Sequence, residues 1–342
     1  MKLCKIILVF YLSLFIAFPV NAEPEQQSQK IMHLSHFLPR TSITHKGFLK
    51  PWADKITKLT NGRLKVKVHP GMSLGGKPPE LLQQARSGAI NSVWTVVGYT
   101  PGQFPKTEAF ELPFISDIPK AVVFNMAIND FYEKHLQDEY KDFHVVLLHA
   151  HAPGALHLKD KPLLKLEDFN GLKIRTPNRI IGKFLENTGA SPVAMPLPDT
   201  YEALNYGLIE GALVPFEVVV PMRLNEKAKH HVIAPFYTTV FAFLINKEFY
   251  NSLPKDVQKI INDNSGANIA YDIGMIWDNA EKEMIEKVKN KGGKIYYLSD
   301  EEIKKGKIIS KKIANNWAKE RGENLYNDAV SLLNKYQEKY GK

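Results

Sequence analysis

The residues best placed to do chemistry stand in three short runs. Gly171-Leu172-Lys173-Ile174-Arg175-Thr176-Pro177-Asn178 reads as a strand that ends at Arg175, followed by a proline turn into a helix. A guanidinium stays charged at any ordinary pH and offers two parallel donors that match a carboxylate. Free N–H groups at the start of the next helix would add to that attraction. Two readings of Arg175 stand side by side: an anchor for a bound carboxylate, or one half of a structural ion pair between domains. The second run, Glu210-Gly211-Ala212-Leu213-Val214-Pro215-Phe216-Glu217, ends another strand and brings Phe216 and Glu217 toward the same edge. Glu217 there could accept from a ligand hydroxyl, an amine or a bound cation, or simply open a helix.

The third run is His149-Ala150-His151, with His157 a short distance on. Two histidines at i and i+2 of a strand share a face, but a metal needs a third ligand that the spacing does not supply, so packing is expected and no metal. Gly-x-Ser-x-Gly, His-Glu-x-x-His and phosphate-cradling glycine loops are all missing, and no cofactor is implied. A binding protein rather than an enzyme follows. Two alternatives are an exported hydrolase with scattered catalytic residues and an interaction protein with no small-molecule ligand.

The order of elements says what positions these runs. Strands are expected over 31–35, 64–68 and 90–94, with a helix over 44–59 and another opened by Pro78-Pro79 between them. A second series places strands at 144–149, 155–158, 172–175, 192–194 and 212–214. Its helices fall at 179–188 and 201–206, the latter opened by Asp199 with Glu202. Strand 240–245 follows. Alternating strands and helices argue for mostly parallel sheets flanked by helices, and two series argue for two lobes. Beyond Pro254 the chain is nearly all helix, apart from a strand at 294–298. Ile269, Ile273, Ile276, Ala280, Met284 and Val288 form an apolar stripe on a helix long enough to lie across both lobes. Ser299-x-x-Glu302 reads as a capping box for the next helix.

Length and composition agree. Lys2 and Lys5, the apolar run over 6–17 and small residues at Val20 and Ala22 form a secretory signal peptide at 1–22. The apolar run is well short of the roughly 20 residues that cross a bilayer. The lone Cys4 precedes that run, so a chain cut after Ala22 has no cysteine and no disulfide. The remainder of the 342 residues suffices for two domains. The formal charge of +9 is spread over helices, as in Lys282, Lys287, Lys289 and Lys291 beside Glu281, Glu283 and Glu286. That pattern reads as a solvated face rather than a nucleic-acid groove.

Several stretches in this order resemble the extracytoplasmic solute-binding subunit of tripartite ATP-independent periplasmic (TRAP) transporters. They are Thr60-Asn61-Gly62-Arg63-Leu64-Lys65-Val66, Met72-Ser73-Leu74-Gly75-Gly76, the run ending Lys173-Ile174-Arg175-Thr176-Pro177, Gly189-Ala190-Ser191-Pro192-Val193-Ala194-Met195-Pro196, and Tyr201-Glu202-Ala203-Leu204 leading to Glu210-Gly211. The resemblance implies an α/β, two-lobed fold of the periplasmic-binding-protein kind, with hinge-crossing strands and a long C-terminal helix spanning both lobes. Lobe I would be 29–149 with 238–275, and lobe II 150–237 with 276–342. It also implies a periplasmic receptor for a small organic carboxylate, anchored by Arg175 and delivered to an ion-gradient-driven membrane permease. One departure stands out: many members have Asp-Gly-Gln-Glu-Asn-Pro where this chain reads Glu210 to Pro215, so Val214 replaces an asparagine that often helps hold the carboxylate. A C4-dicarboxylate is therefore not the expected ligand. From the first lobe, His36, Phe37, Trp94 and Tyr99 are the candidates for the opposite wall, while Phe241 and Phe243 are expected in the core.

Overall fold

Leu64 and Val66 are buried and Lys65 and Lys67 exposed, as a strand with one face on the core requires. The structure is a computed structural model that describes residues 29–341; the signal peptide expected at 1–22 lies outside the described residues. Its strands are β1 (Lys30–His36), β2 (Leu64–His69), β3 (Ser92–Val96), β4 (Phe143–Ala150), β5 (Ala155–Leu158), β6 (Lys173–Thr176), β7 (Ser191–Ala194), β8 (Gly211–Val214), β9 (His230–Ile233), β10 (Val240–Asn246) and β11 (Lys294–Tyr297). The helices are α1 (Lys50–Leu59), α2 (Leu81–Arg86), α3 (Ala121–Phe131), α4 (Arg179–Asn187), α5 (Thr200–Asn205), α6 (Lys247–Asn251), α7 (Lys255–Asp263), α8 (Ala267–Asn290), α9 (Asp300–Arg321) and α10 (Glu323–Tyr340).

Two sheets result, in the orders β2-β1-β3-β10-β4 and β11-β9-β5-β8-β6-β7. In the first, β1 runs parallel to β2 and β3, and β10 alone runs against its neighbours. In the second, β6 is parallel to β7 and β8 and β9 to β11, while β5 alone is reversed. The chain passes from β4 to β5 and returns from β9 to β10. Each crossing thus delivers the one antiparallel strand of the sheet it enters. The central strands β3 and β10 are buried along their whole length, which their mostly apolar content, with Ser92 donating its hydroxyl to Leu244 O, explains. The two crossings are tied to each other: Gly154 N–H donates to Tyr237 O at 2.9 Å.

Helix α8 joins the lobes. At Gly274 it lies so close to α3 that a Cβ would stand 2.4 Å from Val122 Cα. Asp278 then accepts from the N–H groups of Ala121 and Val122, at 2.7 and 3.2 Å, supplying the cap that α3 lacks from its own sequence. One turn later Glu281 accepts from the N–H groups of Phe216 and Glu217, both at 3.1 Å, in the second lobe. Glu281 was expected on a solvated face; it is buried, because those two amides need an acceptor.

Other expectations are corrected. The first turn of the helix expected over 44–59 is a wider, π-type turn (Thr44–Leu49) that leads into α1. Strand β9 was not foreseen, since His230-His231 reads as polar, yet His231 turns inward to meet His157. Asp199 precedes α5 without a side-chain cap bond. Ser299 Oγ accepts from Glu302 N–H, but Glu302 does not reach back: its carboxylate accepts from Leu166 N–H at 2.7 Å and pairs with Lys305, so the box is half formed. The tail assigned to lobe II divides. Helix α9 packs on α4, whereas α10 returns to α3, burying Leu325, Ala329, Leu332 and Leu333, with Tyr336 donating to Asp130 at 2.6 Å.

Candidate ligand-binding site

Strand β6 carries Arg175 to its carboxyl end, between β8 and β7, and Asn178 starts α4 by accepting from Ile181 N–H at 2.9 Å. The Arg175 side chain is buried. Its Nε donates to Met195 O at 3.1 Å and its Nη1 to Leu213 O at 2.9 Å, so the carbonyls of the two neighbouring segments set the plane of the guanidinium. No Asp or Glu of the described residues lies within 4.0 Å of it. The ion pair between lobes belongs instead to Arg179, whose Nε donates to Glu108 at 2.6 Å.

Arg175 lines a pocket closed by both lobes. Phe37, Val96 and Tyr99 come from the first; Leu197, Val214 and Glu217 from the second. His151 on one crossing, Tyr237 and Thr239 on the other, and Phe241 at the start of β10 also line it. The Tyr99 hydroxyl accepts from Leu197 N–H at 2.8 Å, and burial raises its pKa, so it stays protonated and keeps its own proton to donate. Gly98 rests on the start of α4: a Cβ there would stand 2.5 Å from Asn178 Cβ. The cavity beside Arg175 has a volume of about 30 Å³. That is room for one or two waters, so an organic ligand enters only when the lobes part.

Five of the eight residues singled out from sequence therefore meet here: Phe37, Tyr99, Arg175, Val214 and Glu217. The other three do not line the pocket. His36 is bonded to His45 at 3.0 Å behind the wall, and Trp94 donates to His149 at 2.8 Å while stacking on Phe241. Phe216 points away from Glu217 into the second core, edge-on to His157 at 4.8 Å. Phe241, expected in the core, reaches the pocket, whereas Phe243 is fully buried. His151 and Tyr237 were missed as pocket residues because crossing segments have no periodicity to mark them. The one available signal was their place between strands of different sheets.

Burial keeps the histidines neutral. The pKa of His149 falls to about 3 and that of His151 to about 4. His151 Nε2 accepts from Thr239 N–H at 3.0 Å, which leaves the ring proton on Nδ1, facing Ala152 O. Glu217 is pushed well above the usual carboxylate range, first by burial and then by the nearby Glu281 carboxyl. Glu281 itself is raised to about 8 by burial, an effect its two backbone N–H donors oppose. Of the pair, Glu217 is thus the better holder of a proton. No group of three His, Cys, Asp or Glu among the described residues is arranged to hold a metal ion, and no described helix is long and apolar enough to cross a membrane.

Two α/β lobes closing on a buried cation define a two-lobed solute-binding receptor. The profile of the bacterial extracellular solute-binding protein family 7 matches residues 34–320, and the chain belongs to that family, the solute receptors of TRAP transporters. It is similar to a marine metagenome TRAP solute-binding protein specific for aromatic acid ligands, solved with 3-hydroxybenzoate, at 37% identity and a TM-score of 0.87, over 90% of this chain and 99% of that one. A TRAP solute-binding protein of Rhodoferax ferrireducens, solved with copurified benzoate, is 33% identical at a TM-score of 0.86, over 90% and 98% of the chains. The C4-dicarboxylate-binding periplasmic protein DctP of Rhodobacter capsulatus is 25% identical over 286 residues, 80% of each chain.

Proposed function

We propose that this TRAP receptor captures an organic monocarboxylate with an apolar, aromatic body, and that Arg175 anchors its carboxylate. The observation that carries this reading is the buried guanidinium with no acidic partner among the described residues. A charge taken out of water without a counter-charge is costly, and a ligand carboxylate supplies the missing one. The Tyr99 hydroxyl proton is a further donor for it. Phe37, Val96, Val214 and Phe241 offer the rest of the ligand apolar and aromatic surface. Val214 makes the wall beside Arg175 apolar, which favours the aromatic acids bound by the 37% and 33% identical relatives over the dicarboxylates named for the 25% identical one. The leader at 1–22 would place the receptor in the periplasm, where the loaded, closed form docks on a permease driven by an ion gradient.

The test is calorimetric titration of protein refolded from denaturant to strip copurified ligand, with benzoate and succinate as probes. Benzoate is expected to bind and succinate not, and benzoate at 100 times its Kd to stabilise the fold by about 2.7 kcal/mol. Arg175→Met should weaken benzoate by more than about 100-fold, the loss of two charged hydrogen bonds. Equal affinity in that variant, or preference for succinate, would overturn the reading.

A further inference from the structure

Three polar groups in the pocket wall have unmet hydrogen-bonding capacity among the described residues. Glu217 Oε2, the Tyr237 hydroxyl and Thr239 Oγ1 are each buried and find no hydrogen-bond partner among the described residues; the Trp277 indole N–H, itself unpartnered, is the donor that faces the Glu217 carboxyl. Buried polar groups are almost always paired, so three orphans around one pocket describe a missing partner. None is needed for the carboxylate, which Arg175 and Tyr99 serve. Their chemistry is also mixed: Tyr237 and Thr239 can each donate or accept, whereas an acid oxygen without a proton only accepts. The group that satisfies such a set is neutral and does both.

We propose that Glu217 and Tyr237, with Thr239, form a second polar subsite that reads a hydroxyl on the ligand, making hydroxylated aromatic monocarboxylates the preferred class. This rests on the carboxylate reading of Arg175. The ligand hydroxyl donates to Glu217 Oε2 and accepts from the Tyr237 hydroxyl. Glu217 holds its own proton toward Glu281, whose oxygens are occupied by the N–H groups of Phe216 and Glu217. Burial raises the Tyr237 phenol as well, so it remains a donor. An ammonium in place of the hydroxyl would meet a neutral acid within the field of the Arg175 charge, which acts on Tyr237. Zwitterionic acids are disfavoured for that reason.

The position of Tyr237 is fixed by its backing. A Cβ on Gly154 would stand 2.1 Å from the Tyr237 ring, so only glycine lets the ring lie there, and the Gly154 N–H bond to Tyr237 O holds the backbone. Thr239 N–H donates to His151, so both crossings support the subsite. Sites built to hydrogen-bond a hydroxyl reject analogues that lack it, because their own buried groups are then left unpaired.

The experiment is calorimetric titration of stripped protein with benzoate and 3- and 4-hydroxybenzoate. One hydroxybenzoate is expected to bind at least about 100-fold more tightly than benzoate. Tyr237→Phe and Glu217→Met should each cut that preference, read as the ratio of hydroxybenzoate to benzoate affinity within each variant, to below about tenfold. Glu217→Gln, which keeps a donor toward Glu281 and an acceptor toward the ligand, should retain it and shows that the position tolerates exchange. Equal binding of all three acids by the native protein would overturn the subsite and leave the Arg175 reading standing. So would variants that weaken all three acids alike. Binding of none would overturn both.

Discussion

Arg179 Nε donates to Glu108 Oε1 at 2.6 Å while its Nη2 reaches the second oxygen, so the helix that starts beside the pocket is gripped by the opposite lobe. The pair forms only when the lobes meet. It is part exposed at the arginine and nearly buried at the acid, so its worth lies between that of a surface pair and a buried one. Glu108→Gln is expected to speed ligand release about tenfold with little change in capture, since interface contacts act chiefly on dissociation. Stopped-flow displacement checks this, and an unchanged release rate would show that the pair holds nothing shut.

Closure also depends on Gly98. A methyl group there collides with Asn178, the residue that caps α4. Gly98→Ala should lower affinity by at least tenfold while leaving the melting temperature of ligand-free protein within a few degrees, because an open cleft has room for the methyl. A variant with native affinity would mean that the lobes of the loaded protein stand further apart than Gly98 and Asn178 do in this structure.

Gly154→Ala tests a different contact. The methyl would have to displace the Tyr237 ring, and the Gly154 N–H bond keeps that backbone from moving aside. Overpacking of this kind costs about 1–3 kcal/mol. Denaturant titration should show that loss together with loss of binding.

Stability should peak near pH 6.5. His36, His149, His144, His151 and His231 titrate at about 3 to 4 in the fold against 6.5 when exposed. Between those values the unfolded chain binds more protons, so stability falls as pH drops below 6.5. Glu111 and Glu281 titrate at about 8 against 4.5 when exposed. Their contribution is complete below 4.5 and is lost as pH rises through 8. Each group acts at about 1.4 kcal/mol per pH unit within its window, and below 6.5 the histidines outnumber the acids. Urea unfolding of ligand-free protein from pH 4 to 9 measures both limbs; a flat profile would be incompatible with neutral buried histidines.

Much of this was legible in the chain. Period-two and period-3.6 patterns placed most strands and the long helices, because each element hides one face and hydration dictates that pattern. Arg175 could be read as an anchor candidate because a strand end followed by a capped helix is a local arrangement. Three kinds of feature were not legible. Phe216 and Glu217 are adjacent, yet one packs on His157 and the other lines the pocket, a choice made by the turn after Pro215. Glu281 sits among lysines and glutamates in sequence, but two amides from a distant segment draw it inside. The C-terminal helices share one composition, and only the surfaces of α3 and α4 decide which lobe each joins.

Asp278 and Glu281 hold α8 to one lobe each, and both do so through backbone amides. Amides are the same whatever side chains they carry. Substitution at 121, 122 or 216 can therefore leave this fastening untouched, provided no proline removes the N–H. Glu217 is at once part of the fastening, through its amide, and part of the pocket, through its side chain. A change at position 217 is thus felt at both places, in the pocket wall and at the joint between α8 and the second lobe.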